Sequence, residues 1–327
     1  MWDFSIGQSL AIMARTWPFI VLRMAVYFGI TLAYIVATGA GAGFGYGLGH
    51  AAADPESAMS FALWGGIAGF GVVSIAVFCI REYILYIVKA GHIAVMVHLI
   101  DGRDVPDGQD QLSYARDVVT ARFSEASVLF VLDQLVKGVI RTITTLVGGI
   151  AAFLPIPGLG GLVRFINTVI RMSLTYVDEI VLGYNIRIGS TSPWQSARQG
   201  IVLYAQNGKT MIRNAMWLSL VAWGVTLAVF LFMLAPAGAI LYFMPGELGG
   251  WGFVLAVVFA WAFKSALIEP FAVASLMQVY FKVIDGQVPN PEWDRTLEEA
   301  SSKFSELKEK AFGSGEASRW DGAPKNA

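Results

Sequence analysis

Long apolar runs separated by short charged segments dominate the chain. Between Arg23 and Asp54 lie 30 residues without a formal charge, and between Glu56 and Arg81 lie 24. The intervals Arg141 to Arg164, Arg213 to Glu247 and Glu247 to Lys264 enclose 22, 33 and 16 such residues. Roughly 20 apolar helical residues cross a hydrocarbon core of about 30 Å. Lipid admits helices because each helix satisfies its own backbone N–H and C=O groups. The pattern predicts an all-α, polytopic integral membrane protein. Pro155-Ile156-Pro157-Gly158-Leu159-Gly160-Gly161 interrupts the third run and reads as a hairpin tip. Spans at about 127–154 and 162–182 then flank it, and the expectation is about six transmembrane helices in three hairpins.

The placement of basic residues orients these hairpins, because Lys and Arg accumulate in cytoplasmic loops. Segments 41–60, 153–162 and 244–250 contain neither. Arg103, Arg116 and Arg122, then Arg187, Arg198, Lys209 and Arg213, then Lys282 onward lie between them. All three hairpins therefore point the same way, with both termini cytoplasmic. The first charge is Asp3 and no basic segment precedes the first apolar stretch, which argues against a secretory signal. With the compact loops, this suggests a bacterial inner (plasma) membrane. Residues 5–22 read as an interfacial helix anchored by Trp2, Phe4, Trp17 and Phe19.

A plan of about 90 residues recurs three times, in units of about 1–100, 101–190 and 191–290 within a single membrane domain, 1–290. Each unit begins with a cytoplasmic amphipathic helix carrying Ala14-Arg15, Ala115-Arg116 or Ala197-Arg198. Each ends in a polar turn leading to proline: Asp101-Gly102 to Pro106, Gly189-Ser190 to Pro193, and Asp285-Gly286 to Pro289. The second helix of the first unit, 59–100, is too long for a bilayer yet stays apolar beyond it. Its overshoot is predicted to pack with its two counterparts, or with the Ala-Arg helices. Ser192-Pro193 and Asn290-Pro291 carry the cap-then-proline signature of helix starts. Residues 291–312 read as a cytoplasmic amphipathic helix with Trp293, Leu297, Ala300, Phe304, Leu307 and Ala311 on one stripe. Residues 313–327 have the composition of a disordered tail.

Composition sharpens the class. Charged residues make up 14% and hydrophobic residues 56%, with a mean hydropathy of +0.59, whereas a soluble chain carries about a quarter charged residues. A net charge of -1 excludes nucleic acid as a partner. A single cysteine, Cys79, excludes an intrachain disulfide framework.

Ionisable residues within spans are expensive and commonly face a cavity or a partner. Arg164, Asn167, Arg171, Thr175 and Asp178 recur at helical spacing, and Glu179 adds a second carboxylate. Asp133, Lys137 and Arg141 form a second i,i+4 row. Lys264 and Glu269 precede Pro270, where a hinge or a simple kink is expected. A substrate pathway would use Arg164, Asn167, Arg171, Asp178, Glu179, Lys264 and Glu269, against the alternative of ordinary ion pairs on a charged face. The glycines from Gly39 to Gly49 lack a G-x-G-x-x-G pattern and indicate close helix packing or a flexible outer loop. Asp101, Asp104, Asp107 and Asp110 do not match an EF-hand loop, and His92 and His98 fall on different helix faces. No metal, cofactor or catalytic set is expected.

The stretch Asn207-Gly208-Lys209-Thr210-Met211-Ile212-Arg213-Asn214-Ala215, and the closing helix that ends at Asp285-Gly286, resemble the choline transporter-like family over about 200–290. The chain is shorter than that family and lacks its cysteine-bearing outer loop. The resemblance implies a choline-like amine as substrate, with Trp217, Trp223, Trp251 and Trp261 as candidate cation–π partners. Two functions follow from the whole reading. One is a transporter or permease for a small polar or cationic solute. The other is a non-catalytic membrane scaffold or assembly factor that docks a protein partner through its cytoplasmic helices, the C-terminal one above all. In both cases the lipid bilayer is a partner and no enzymatic activity is expected.

Overall fold

The computed structural model describes residues 2–51, 55–105, 109–122, 126–152, 174–189, 192–243, 257 and 260–312. These are helical apart from short turns and connections, with no strand among them. In chain order the helices are α1 (Ile6–Arg15), α2 (Trp17–Ala51), α3 (Pro55–Ile100), α4 (Gln111–Arg122), α5 (Ala126–Ala152), α6 (Val177–Ile188), α7 (Pro193–Gln206) and α8 (Gly208–Phe243). A π-helical turn, Lys264–Ile268, leads into α9 (Glu269–Val283), and α10 (Pro291–Ala300) and α11 (Ser302–Phe312) close the described chain.

Four helical stretches are long and apolar enough to cross a membrane: Trp17–Ala51, Ser57–Val77, Gly208–Ala235 and Ala260–Val283. The proposed tip at 155–161, most of the span at 162–182 and the outer segment at 244–250 lie outside the described residues. The helix α5 carries Asp133, Lys137 and Arg141 in its first half, which keeps its mean hydropathy low.

Contacts divide the chain into two compact units, Phe19–Val88 with Thr226–Leu267, and Met1–Pro18 with Lys89–Val225 and Ile268–Ala327. In the first, α2 and the first half of α3 run antiparallel with their backbones almost touching. A Cβ on Gly41 would lie 2.2 Å from the Gly65 carbonyl oxygen, one on Gly45 2.0 Å from the Phe61 oxygen, and one on Gly69 2.2 Å from the Ala37 oxygen. The glycine run is thus helical throughout, and every second glycine permits the approach. A small cluster of Tyr27, Ala262 and Ala266 is buried nearby, with Trp261 edge-on to Tyr27 at 5.5 Å. Large apolar side chains such as Phe44, Leu63, Trp64 and Phe232 are exposed on these helices, as hydrocarbon contact requires.

The second unit is built on three helix segments, 89–100, α6 and α9. Ile93, Ile180 and Met277 are fully buried. Gly183 faces the other two segments, since a Cβ there would meet Met277 Sδ at 2.7 Å and Ile93 and Val97 at 3.5 Å. The overshoot of α3 is therefore covered by protein. The helix α1 packs on α9 through a 2.8 Å Ser9–Ser275 hydroxyl contact, and Thr16 meets His92 Nε2 at 2.9 Å. On the other side Tyr280 donates to the Gly200 carbonyl of α7 at 2.9 Å, and Asn185 donates to the Pro193 carbonyl at 2.7 Å.

Helix ends follow local chemistry. The Ser192 hydroxyl accepts from Gln195 N, and Asn290 Oδ1 accepts from Glu292 N at 2.7 Å. Gly102, Gly189 and Gly286, with φ of 73°, 64° and 68°, stand at or just past the ends of α3, α6 and α9. Left-handed backbone there favours glycine. The predicted helix 291–312 is split at Ser301, whose extended backbone separates α10 from α11. Its apolar stripe is spent within the chain. Leu297, Phe304 and Leu307 are buried, and α11 packs on α5 and α7. Arg198, 2% exposed, is bound by both carboxylate oxygens of Asp294 and lies 4.9 Å from the Phe312 ring.

Two alanine substitutions separate packing from propensity. Gly41→Ala should lower stability by about 1–3 kcal/mol, because its Cβ meets backbone that cannot yield. Gly43→Ala, with nothing within 4 Å, should raise it by roughly 0.5–1 kcal/mol. Thermal unfolding in detergent checks both, and equal midpoints would refute the backbone contact.

Candidate functional site

Four helices of the second unit bring ionisable side chains together. Glu179 is nearly buried and takes Lys89 Nζ from α3 on Oε1 at 2.9 Å. Asp133 on α5, 3% exposed, takes Lys137 Nζ at 2.7 Å. The same ammonium stands 3.8 Å from Asp178. The carboxyl groups of Asp178 and Glu179 lie within hydrogen-bonding reach of each other. Glu269, the first residue of α9, is close enough to act electrostatically on the Tyr176 hydroxyl, as do Glu179, Asp178 and Lys89. The second oxygen of Asp133, Oδ1, accepts no hydrogen bond among the described residues.

Local folding explains this convergence. A turn at Thr175-Tyr176 precedes α6, with Tyr176 as its cap residue at φ -110°, ψ 11°. Asp178 and Glu179 thus occupy the first turn of a new helix, where the helix dipole favours negative charge. The predicted single polar stripe from Arg164 to Asp178 is interrupted at this turn. Arg164, Asn167 and Arg171 lie outside the described residues. Lys264 and Glu269 bracket the π-helical turn, Lys264 being its first residue and Glu269 following its last. Pro270 then removes one backbone donor, and π turns inside α-helices are frequent at functional sites. Lys264 belongs to the first compact unit and Glu269 to the second.

Of the predicted pathway residues, the structure brings together Asp178, Glu179 and Glu269. Lys89 is the residue that sequence reasoning missed. Its signal is a single lysine within the apolar overshoot of α3, a position that needs a buried counter-charge.

The remaining candidates have structural partners. Asp101 binds Arg103 and Arg187, each at 2.9 Å, and Asp104 pairs with Arg15. Asp110 caps α4 by accepting from Leu112 N and Ser113 N at 2.9 and 3.0 Å. Among the described residues no three His, Cys, Asp or Glu side chains are grouped to hold a metal ion. His92 and His98 do diverge: His92 faces Thr16, while His98 Nε2 lies 2.7 Å from the Asp104 carbonyl oxygen and its Nδ1 3.0 Å from the Tyr114 hydroxyl. Trp217 packs on Trp2 and Trp261 on Tyr27, Trp223 is exposed, and Trp251 lies outside the described residues.

Two outcomes follow. Lys89→Met should destabilise the protein by about 3 kcal/mol, because it strands the Glu179 carboxylate. Adding Glu179→Gln should recover much of that loss, and a double-mutant cycle in thermal or denaturant unfolding reads the difference. At the α3–α4 turn, burial and then Arg103 hold the His98 imidazole below its ordinary 6.5, with Asp101 opposing. The folded state therefore prefers the neutral ring. Its contribution to stability is full above about pH 6.5 and is lost as pH falls through the lower folded value. His98→Gln should flatten the fall in melting temperature below pH 6.5, and an unchanged slope would refute the assignment.

No family model, curated protein or solved structure matches the chain.

Proposed function

We propose that the protein is a membrane permease for a small cationic or polar solute, with Asp133, Asp178, Glu179 and Glu269 forming its recognition cluster. The carrying observation is the convergence of four carboxylates from α5, α6 and α9 on two lysines, Lys89 and Lys137. Among the described residues this cluster favours a positive guest. Asp133 Oδ1 offers a buried acceptor to it. The π turn ahead of Glu269 supplies a point where one helix can change its register during a transport cycle. A choline-like amine, the substrate implied by the resemblance of 200–290, has the right charge.

The six-span, three-hairpin plan belongs to the same proposal. The three left-handed glycines support a threefold repeat, and so does the burial counted back from them. Nine residues before Gly102, Gly189 and Gly286 stand Ile93, Ile180 and Met277, none of them exposed. Twelve before stand Ala90, Val177 and Ala274, all buried. A cytoplasmic location of both termini and a bacterial inner membrane fit the distribution of basic residues.

The scaffold reading draws on the pairing of the cluster's carboxylates with lysine, which an inert charged core would also show. Its proposed docking element is less accessible than the sequence suggests, because the stripe of α10 and α11 is covered by α5 and α7.

A thermal-stability screen of detergent-purified protein against choline, betaine, polyamines, amino acids, organic anions and metal cations decides between them. The permease should show a saturable rise in melting temperature with an organic cation, lost in Glu269→Gln and Asp178→Asn. A flat response from folded protein across the library would sink the permease and leave the scaffold.

A further inference from the structure

Between α5 and α11 the second unit opens a cleft of about 400 Å3. Lys137, Arg141 and Lys303 line it, together with Val131 and Leu135, and Glu306 is the only carboxylate among its lining residues. Lys137 and Arg141 are one helical turn apart on the same face of α5. Lys303 is set opposite them by a tight fit: its Cγ lies 2.9 Å from where a Cβ on Gly138 would be. The glycine therefore lets α11 bring a third cation against α5. All three side chains keep solvent access, with Lys137 39% and Lys303 51% exposed.

The position of this cleft along α5 gives it a meaning. Beyond Arg141 the helix has no charge through Ala152. A helix entering a bilayer changes from charged to apolar at the headgroup level, where basic side chains attract anionic lipid. We propose that the α5–α11 cleft binds the phosphate headgroup of an anionic phospholipid, with Lys137, Arg141 and Lys303 as its ligands. Charge complementarity selects this occupant over a zwitterionic lipid, and the charge-free continuation of α5 selects it over a soluble anion. The inference rests on α5 entering the bilayer and is independent of what the protein carries.

The experiment uses the full chain in nanodiscs and in detergent. Phosphatidylglycerol should bind and raise the melting temperature, phosphatidylcholine should not, and inorganic phosphate at equal headgroup concentration should not. Each neutralised cation should weaken phosphatidylglycerol binding about five-fold, so Arg141→Gln with Lys303→Gln should weaken it roughly 25-fold. Glu306→Gln should tighten it, an effect that a misfolded variant would not produce. Rising ionic strength should weaken binding in the wild type. Equal affinity for both lipids, binding unchanged in the double variant, or free phosphate acting as well as lipid would each overturn the site. In a Cys79→Ala background, Thr145→Cys should be shielded from an aqueous maleimide. Free labelling would overturn both the site and the six-span plan. Shielding without lipid selectivity would remove the site alone.

Discussion

An apolar helix that outruns the bilayer must find cover for its excess, and α3 sets this problem at its starkest. Its 46 residues extend about 69 Å, against about 30 Å of hydrocarbon. The far end, from Ala90 to Val97, would be insoluble if left in water. The structure covers it with α6 and α9, and the close fit at Gly183 is what admits all three segments. The polar features of this unit follow from that packing. Short helices α1 and α7 fill the flanks and bond through hydroxyls and carbonyls. Lys89, carried inward on the same segment, obliges α6 to present Glu179. One solubility constraint thus fixes both an apolar core and the charged cluster beside it.

That cluster is where structure and proposed role meet. A buried ion pair is a weak source of net stability, because desolvating two charges offsets most of their attraction. Retaining three carboxylates and two lysines among close-packed helices, with Glu269 near, is a poor way to hold helices together. A recognition site explains the arrangement better than cohesion does. The start of α6 lowers the cost for Asp178 and Glu179 by placing them at the positive end of a helix dipole. The lysines hold the carboxylates in position without neutralising all of them.

Much of the architecture was legible in the sequence because it rests on local chemistry. Charge-free runs marked the four long apolar helices, Ser192-Pro193 and Asn290-Pro291 marked two helix starts, and the polar turns marked three glycine-terminated ends. The apolar residues at 84–96 already required cover, since nothing polar punctuates them except Lys89. What sequence concealed were facts of partnership. Gly41 and Gly43 look alike in the chain, yet one meets backbone and the other meets nothing. Period alone made a single face of Arg164 to Asp178, whereas a turn at Thr175-Tyr176 resets the phase. The stripe on 291–312 was readable as apolar, but not as already occupied by α5 and α7.

The π turn between Lys264 and Ile268 has a consequence for how this helix tolerates change. An α-helix advances about 100° per residue, and a π turn accommodates one residue more than the regular spiral allows. Removing a single residue there would restore ordinary winding while rotating everything downstream by about a quarter turn or more. Ala272, Leu276 and Tyr280, now inward, would swing off the core, and Glu269 would leave its neighbours. Length at this point therefore acts as an angular setting, and an insertion or deletion of one residue would be felt along the whole of α9 as a twist.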